Sequence, residues 1–289
     1  MVKNKAIVTL IYGKKYQDYF KKFCEKNWKE YANKFGYDIV LFDRLLDKTE
    51  RALNRSPAWQ KCLVLSHGDL DKYEQIVWID SDIIINSENS PSIVKNVPVD
   101  KVGTVDAYSI LTRKLYYIYL KRRYNFWSKH KISYINNLTA KQYYSNYGLK
   151  PVFDRVVQTG VLVCSPKYHK NIFTRVYNNY EEIGGSEWNY EMRPLSYELI
   201  KENLIYWIDY RFNYPWGVHK ILFYPFLFHK KTFYEKVLYK MDVPLFLPGS
   251  KIIKRCATTA YHNSFFLHFT GSMNEMRYVN TSSKSVFGL

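Results

Sequence analysis

Alternation between strand-like and helix-like patterns runs through the first 107 residues and restricts the fold more than any other feature. Residues 5–12 (KAIVTLIY) form a β-rich run that stops at Gly13. From residue 16 to 35, apolar side chains fall at Tyr16, Tyr19, Phe20, Phe23, Cys24, Trp28, Tyr31, Ala32 and Phe35. That spacing predicts a helix, with Gly36 as its C-terminal stop. YDIVLFD (37–43) reads as a second strand, and strand–helix–strand implies parallel pairing with a right-handed crossover. Ser56-Pro57 opens a second helix, hydroxyl as N-cap and proline in the first turn, running toward Gly68. Further strands follow at IVWID (76–80) and VGTVDA (102–107). The expected class is α/β: an open sheet with ligands at the carboxyl ends of its strands.

The second half is less regular. VVQTGVLVCSP (156–166) reads as a strand with Gly160 inside it, a sign of close backbone approach. Residues 196–209 predict a helix leading into a short strand, and RFNYPWG (211–217) a turn. AYHNSFFLHFTG (260–271) is expected as a final strand or strand-loop.

Hydrophobic residues make up 47% of the 289 and aromatics 18%, which excludes a disordered chain. No stretch reaches the ~18 continuous apolar residues of a membrane span. The N-terminal apolar run is only about seven residues long and is followed by Lys14 and Lys15, so it reads as a strand, not a signal peptide. Cys24, Cys62, Cys164 and Cys256 lie far apart, without a CxxC pair. That argues against a zinc cluster or disulfide framework and for a cytoplasmic setting.

The formal charge is +17, which favours anionic partners. No acid occurs between Asp106 and Asp154, where nine Lys and Arg side chains alternate with Tyr, Phe and Trp. A solvated helical face and an anion-binding surface both fit this stretch, the second implying peripheral contact with an acidic membrane.

Asp80-Ser81-Asp82 sits at the end of the buried strand IVWID. On a strand, residues i and i+2 share a face, and two close carboxylates repel. A hard divalent cation, Mn²⁺ or Mg²⁺, resolves that repulsion and can hold a diphosphate. A pair of turn carboxylates is the plainer alternative.

At this point the chain resembles the GT-A fold glycosyltransferases with a DxD motif. SPAWQK (56–61) before WIDSDIII resembles a block of the galactosyl/xylosyl transferases, and VQTGVLVCSP resembles a strand shared with the glycogenin-like group. FFLHFTG (265–271) resembles their C-terminal H-x-x-G. Gln158 stands where asparagine is usual. The resemblance implies one GT-A domain over 1–289: a Rossmann-like nucleotide-sugar-binding half (1–107) and a smaller acceptor-binding half (108–289). It implies a metal held by Asp80, Asp82 and His268. It also implies a donor, a UDP-sugar in preference to a GDP-sugar, contacted by Ile11, Tyr12, Lys61, Asp80 and Gly271. Read alone, Lys61 is an ordinary solvated lysine, and His268 a core or surface histidine.

For sugar recognition and catalysis the candidates are Gln158, Glu191 and Glu187, with Asp106, Asp154 and Asp209 as further acids. The H-x-x-G pattern resembles retaining groups. The expected activity is therefore metal-dependent, retaining transfer of a hexosyl or pentosyl unit to a glycan or lipid-linked acceptor. A nucleotidyl- or phosphotransferase would use the same carboxylates, although no P-loop is present. A nucleic-acid-binding protein would use the +17 charge, although no helix-turn-helix, RNP or zinc-finger pattern is present.

Overall fold

A computed structural model of the protein describes residues 4–182, 190–230, 232–234, 237, 241 and 250–282. Strand β1 (Lys5–Leu10) buries Ala6, Ile7 and Val8 completely. The single helix expected over 16–35 divides into α1 (Lys14–Phe23) and α2 (Glu25–Phe35). The break falls at Cys24, whose φ is −111° and whose thiol donates to the Ser81 carbonyl at 3.5 Å. Gly36, in the left-handed region at φ 71°, ends α2 as anticipated. Next come β2 (Asp38–Phe42) and the short α3 (Glu50–Leu53).

Ser56 caps the following segment, its Oγ accepting from the Ala58 N–H at 3.3 Å, but Pro57–Ser66 is a 3₁₀ helix and not an α-helix. Trp59, Gln60, Lys61 and Cys62 are all buried, so this segment is covered on every side. Strands β3 (Gln75–Ile79), β4 (Ile83–Ile85) and β5 (Val102–Asp106) follow. The acid-free stretch contributes α4 (Arg113–Lys129) and α5 (Ala140–Ser145). Then come β6 (Val157–Cys164), α6 (Pro166–Asn179), α7 (Met192–Lys201), β7 (Ile205–Trp207), β8 (Tyr214–Pro215) and α8 (Trp216–Phe223). Helix α9 (Ser250–His262) and strand β9 (Phe266–His268) complete the frame. Residues 260–262, expected in the last strand, instead end α9.

The central sheet has the order β2-β1-β3-β6-β5-β7. Pairing is parallel except for β6, which runs antiparallel to both neighbours. All eight residues of β6 are buried, as a strand covered on both faces requires. Residue 107 does not divide the sheet, because β6 inserts between β3 and β5. The carboxyl ends of β3 and β5 and the start of β6 therefore share one edge. A second sheet, β4-β9-β8, sets Ile83 opposite His268 and Pro215 beside His268. It brings residues from three distant parts of the sequence to that same edge.

Candidate metal centre and donor site

Asp80 leaves the central sheet with one last tie, its N–H donating to the Gly160 carbonyl at 2.8 Å. Two residues later the Asp82 carbonyl accepts from the Phe269 N–H at 3.0 Å, and Ile83 enters the second sheet. Asp80, Ser81 and Asp82 thus form a tight turn between two sheets. They are not successive residues of one strand face, as the spacing alone implied. The carboxylates converge all the same.

Asp80, Asp82 and His268 each present a ligand atom within 4.8 Å of the others. His268 Nε2 lies 3.2 Å from Asp82 Oδ1 and 3.8 Å from Asp80 Oδ2. The other oxygen of Asp80 is already used: Oδ1 accepts from Trp78 Nε1 at 2.7 Å and pairs with Lys61 Nζ at 3.1 Å. Oδ2 therefore remains for a cation. On the far side of the imidazole, Nδ1 is 2.8 Å from Asn213 Oδ1. Asn213 Nδ2 in turn donates to Gln158 Oε1, which also accepts the Gly160 N–H at 2.8 Å. An Nδ1–H held by a carbonyl leaves Nε2 as the bare nitrogen, the tautomer a metal needs. Two carboxylate oxygens and one imidazole nitrogen fit Mn²⁺ or Mg²⁺.

Electrostatics supports the same reading. Burial raises the Asp80 pKa, only partly offset by Lys61 and His268, with the Asp82 charge adding to the rise. Burial also opposes ionisation of Asp82, but His268 outweighs it and holds this carboxyl below its ordinary value. For His268, burial disfavours the charged ring, yet Asp82 and Asp80 raise its pKa overall. Gly160 has a packing reason: a Cβ there would stand 2.5 Å from His268 Cε1 and 2.8 Å from Nδ1.

Lys61 is not solvated. Its side chain is 4% exposed and bonds Glu191 Oε1 at 2.8 Å as well as Asp80. Burial opposes its charge, but Asp80 and Glu191 prevail and hold the ammonium above the usual lysine range. Glu191, equally buried, also accepts from Thr159 Oγ1 at 2.8 Å.

Ile11 continues the pairing of β1, its N–H reaching the Phe42 carbonyl at 2.8 Å, and Tyr12 beyond it is exposed. Gly271 turns the chain after β9 at φ 66°. Glu187 lies outside the described residues. Asp106 accepts from the N–H groups of Tyr108 and Val156 and from Ser109 Oγ, a structural set of bonds. Asp154 faces solvent opposite Arg113, and Asp209 caps the 3₁₀ turn Tyr210–Asn213 while clasping Arg211. The sequence reading did not single out Asn213, Thr159 or Trp78. Tyr16 was counted only as a helix residue; its hydroxyl pKa is raised by partial burial and by the fields of Asp82 and Asp80. Only the alternation in the strand could have marked Thr159, two residues before Val161 on the same face. Nothing local marks Asn213.

The sequence matches no protein-family model and no curated protein. Among solved structures, it is similar to a glycosyltransferase involved in glycosylation of the major capsid of PBCV-1: 14% identity over 95% of this chain and 99% of that one, with a TM-score of 0.51. The bifunctional glycosyltransferase WbbM matches at 11% identity and a TM-score of 0.46, over 94% of this chain and 46% of that one. The galactosyltransferase LgtC, solved with donor and acceptor sugar analogues, matches at 12% identity and 0.44, over 91% and 86%. The likeness to the capsid-modifying enzyme, end to end in both chains, carries the comparison. The chain has the α/β fold of the GT-A glycosyltransferases.

Proposed function

We propose that the protein is a metal-dependent glycosyltransferase that moves a hexosyl or pentosyl unit from a nucleotide-sugar to a hydroxyl of a glycan or lipid-linked acceptor. One observation carries this reading: Asp80 Oδ2, Asp82 Oδ1 and His268 Nε2 face one another where β3 ends. A bound Mn²⁺ or Mg²⁺ would neutralise charge on the departing nucleoside diphosphate. The remaining work falls to side chains. Lys61, pinned between Asp80 and Glu191, keeps Asp80 ionised and turned toward the cation. Glu191 is committed to Lys61 and Thr159, so it positions rather than abstracts protons. Gln158 has its carbonyl oxygen engaged by Gly160 and Asn213, which leaves its Nε2 donors for a donor-sugar oxygen.

The donor we favour is a UDP-sugar over a GDP-sugar, with Ile11, Tyr12 and Gly271 at the nucleotide. A tyrosine at Tyr12, half exposed beyond β1, can stack on a base. Among the described candidates Glu191 is buried and paired, while Asp106, Asp154 and Asp209 are engaged elsewhere, which supports retention. In that case a diphosphate oxygen accepts the acceptor's proton.

The test is a thermal-shift panel of UDP- and GDP-sugars with Mn²⁺, with and without chelator. Saturating donor should stabilise the fold by about 3 kcal/mol at a hundredfold excess over Kd, and only with metal. No stabilisation by any nucleotide-sugar would overturn the reading. Proton NMR of the first-formed product then reads the anomeric configuration, and a β-linked product from an α-linked donor would end the retaining proposal.

A further inference from the structure

Helix α4 holds the acid-free stretch, and its outward face carries Lys114, Tyr117 and Lys121, with the Lys121 ammonium 5.1 Å from the Tyr117 ring centre. The two central arginines are occupied internally. Arg122 caps α8 by donating to the carbonyls of Ile221 and Leu222, both at 3.1 Å. Arg123 donates to the Tyr119 hydroxyl and lies over the Trp127 ring. The Arg122 bonds, with Phe126 against Phe228 at 4.3 Å, bind α4 to α8 and to the turn that follows it.

That turn breaks the usual rule for apolar side chains. Phe223 is 47% exposed and Phe226 61%, while Ile252 on α9, which packs on α8, is 52% exposed. The segments that carry them, residues 107–153, 210–234 and 250–262, contain no Asp or Glu; the nearest acids are paired, Asp154 with Arg113 and Glu275 with Lys220. Projecting rings and an aliphatic tip, on elements that also carry exposed lysines, are the features of a protein that rests on lipid. A polynucleotide would gain from the lysines and the rings, but nothing from Ile252.

We propose that the surface formed by α4, the 223–228 turn and α9 docks on an anionic phospholipid bilayer, the lysines meeting headgroups and Phe223 and Phe226 entering the interface. Vesicle binding needs no donor or metal, so it stands or falls separately from sugar transfer.

The experiment is flotation with phosphatidylcholine vesicles, with and without phosphatidylglycerol, across a salt series. Wild-type protein should float only with the anionic lipid and less so as salt rises. Phe223→Ser with Phe226→Ser, and separately Lys114→Glu with Lys121→Glu, should each weaken partitioning by about tenfold or more. All four side chains are exposed, so melting midpoints should be unchanged. Failure to float, or flotation untouched by the phenylalanine pair, would overturn the proposal. So would binding of a single-stranded oligonucleotide more tightly than anionic vesicles.

Discussion

Asn213 Oδ1 lies 2.8 Å from His268 Nδ1, and the opposite ring nitrogen lies 3.2 Å from Asp82. A side chain 55 residues away thus sets the tautomer of a candidate ligand. Asn213→Ala should weaken Mn²⁺ affinity about tenfold, the lower end for loss of a ligand's hydrogen-bond partner. Calorimetric titration of folded variant against wild type is the check. Equal affinities would detach Asn213 from the metal centre.

Gly160 leaves the room that His268 fills. A methyl group there meets the ring at 2.5 Å, so Gly160→Ala should cost about 1–3 kcal/mol and displace Nε2 from the acids. Pairing it with His268→Ala should recover much of that stability, because the clash disappears. Urea denaturation of the four proteins of this cycle reads the coupling, and simple additivity would refute the steric account.

The buried Lys61–Glu191 pair predicts an asymmetry. Lys61→Met leaves two carboxylates without their cation and should destabilise the protein by about 3–5 kcal/mol. Lys61→Met with Glu191→Leu should be more stable than Lys61→Met alone, since one stranded charge is gone. Donor-induced stabilisation should be absent from both. A double variant less stable than the single one would contradict this assignment.

His219 gives a pH dependence of definite sign. Burial lowers its pKa to about 4, against an ordinary value of 6.5. A folded-state pKa below the unfolded one means that the unfolded chain takes up the proton first. The stability contributed by neutral His219 is therefore full above pH 6.5 and is lost as pH falls toward 4. Between pH 7 and pH 5 the loss should be about 2 kcal/mol. His268, with its raised pKa, works in the opposite direction. The useful measurement is consequently the difference between wild type and His219→Gln in urea at both pH values. An identical pH slope in the two proteins would assign the acid sensitivity elsewhere.

The parts of the fold legible in the sequence were those written in local pattern. β1, β2, β3 and β5 are short apolar runs bounded by turn residues, and the Asp-Ser-Asp turn follows β3, of which all but the first residue are buried. What escaped depends on partners distant in sequence. Cys24 sits in an unbroken apolar periodicity, yet the helix divides there, where its thiol meets a carbonyl 57 residues away. Ile83–Ile85 looks like the end of the preceding strand because β9, which splits it off into a second sheet, lies nearly two hundred residues onward. Lys61 reads as a surface residue until Glu191 appears beside it. Asn213 carries no local mark, since its role consists entirely of the two side chains it joins.

The β4–β9 pairing also sets an order of events during synthesis. Asp80 and Asp82 leave the ribosome long before Phe266–His268, so for most of translation the two acids lie close together with no imidazole between them. The strand that brings the third ligand also covers Ile83, Ile84 and Ile85. An incomplete chain therefore exposes a sticky apolar strand edge and lacks the full ligand set, whereas a finished one gains both together. Chains cut short before residue 266 should fall to aggregation or proteolysis.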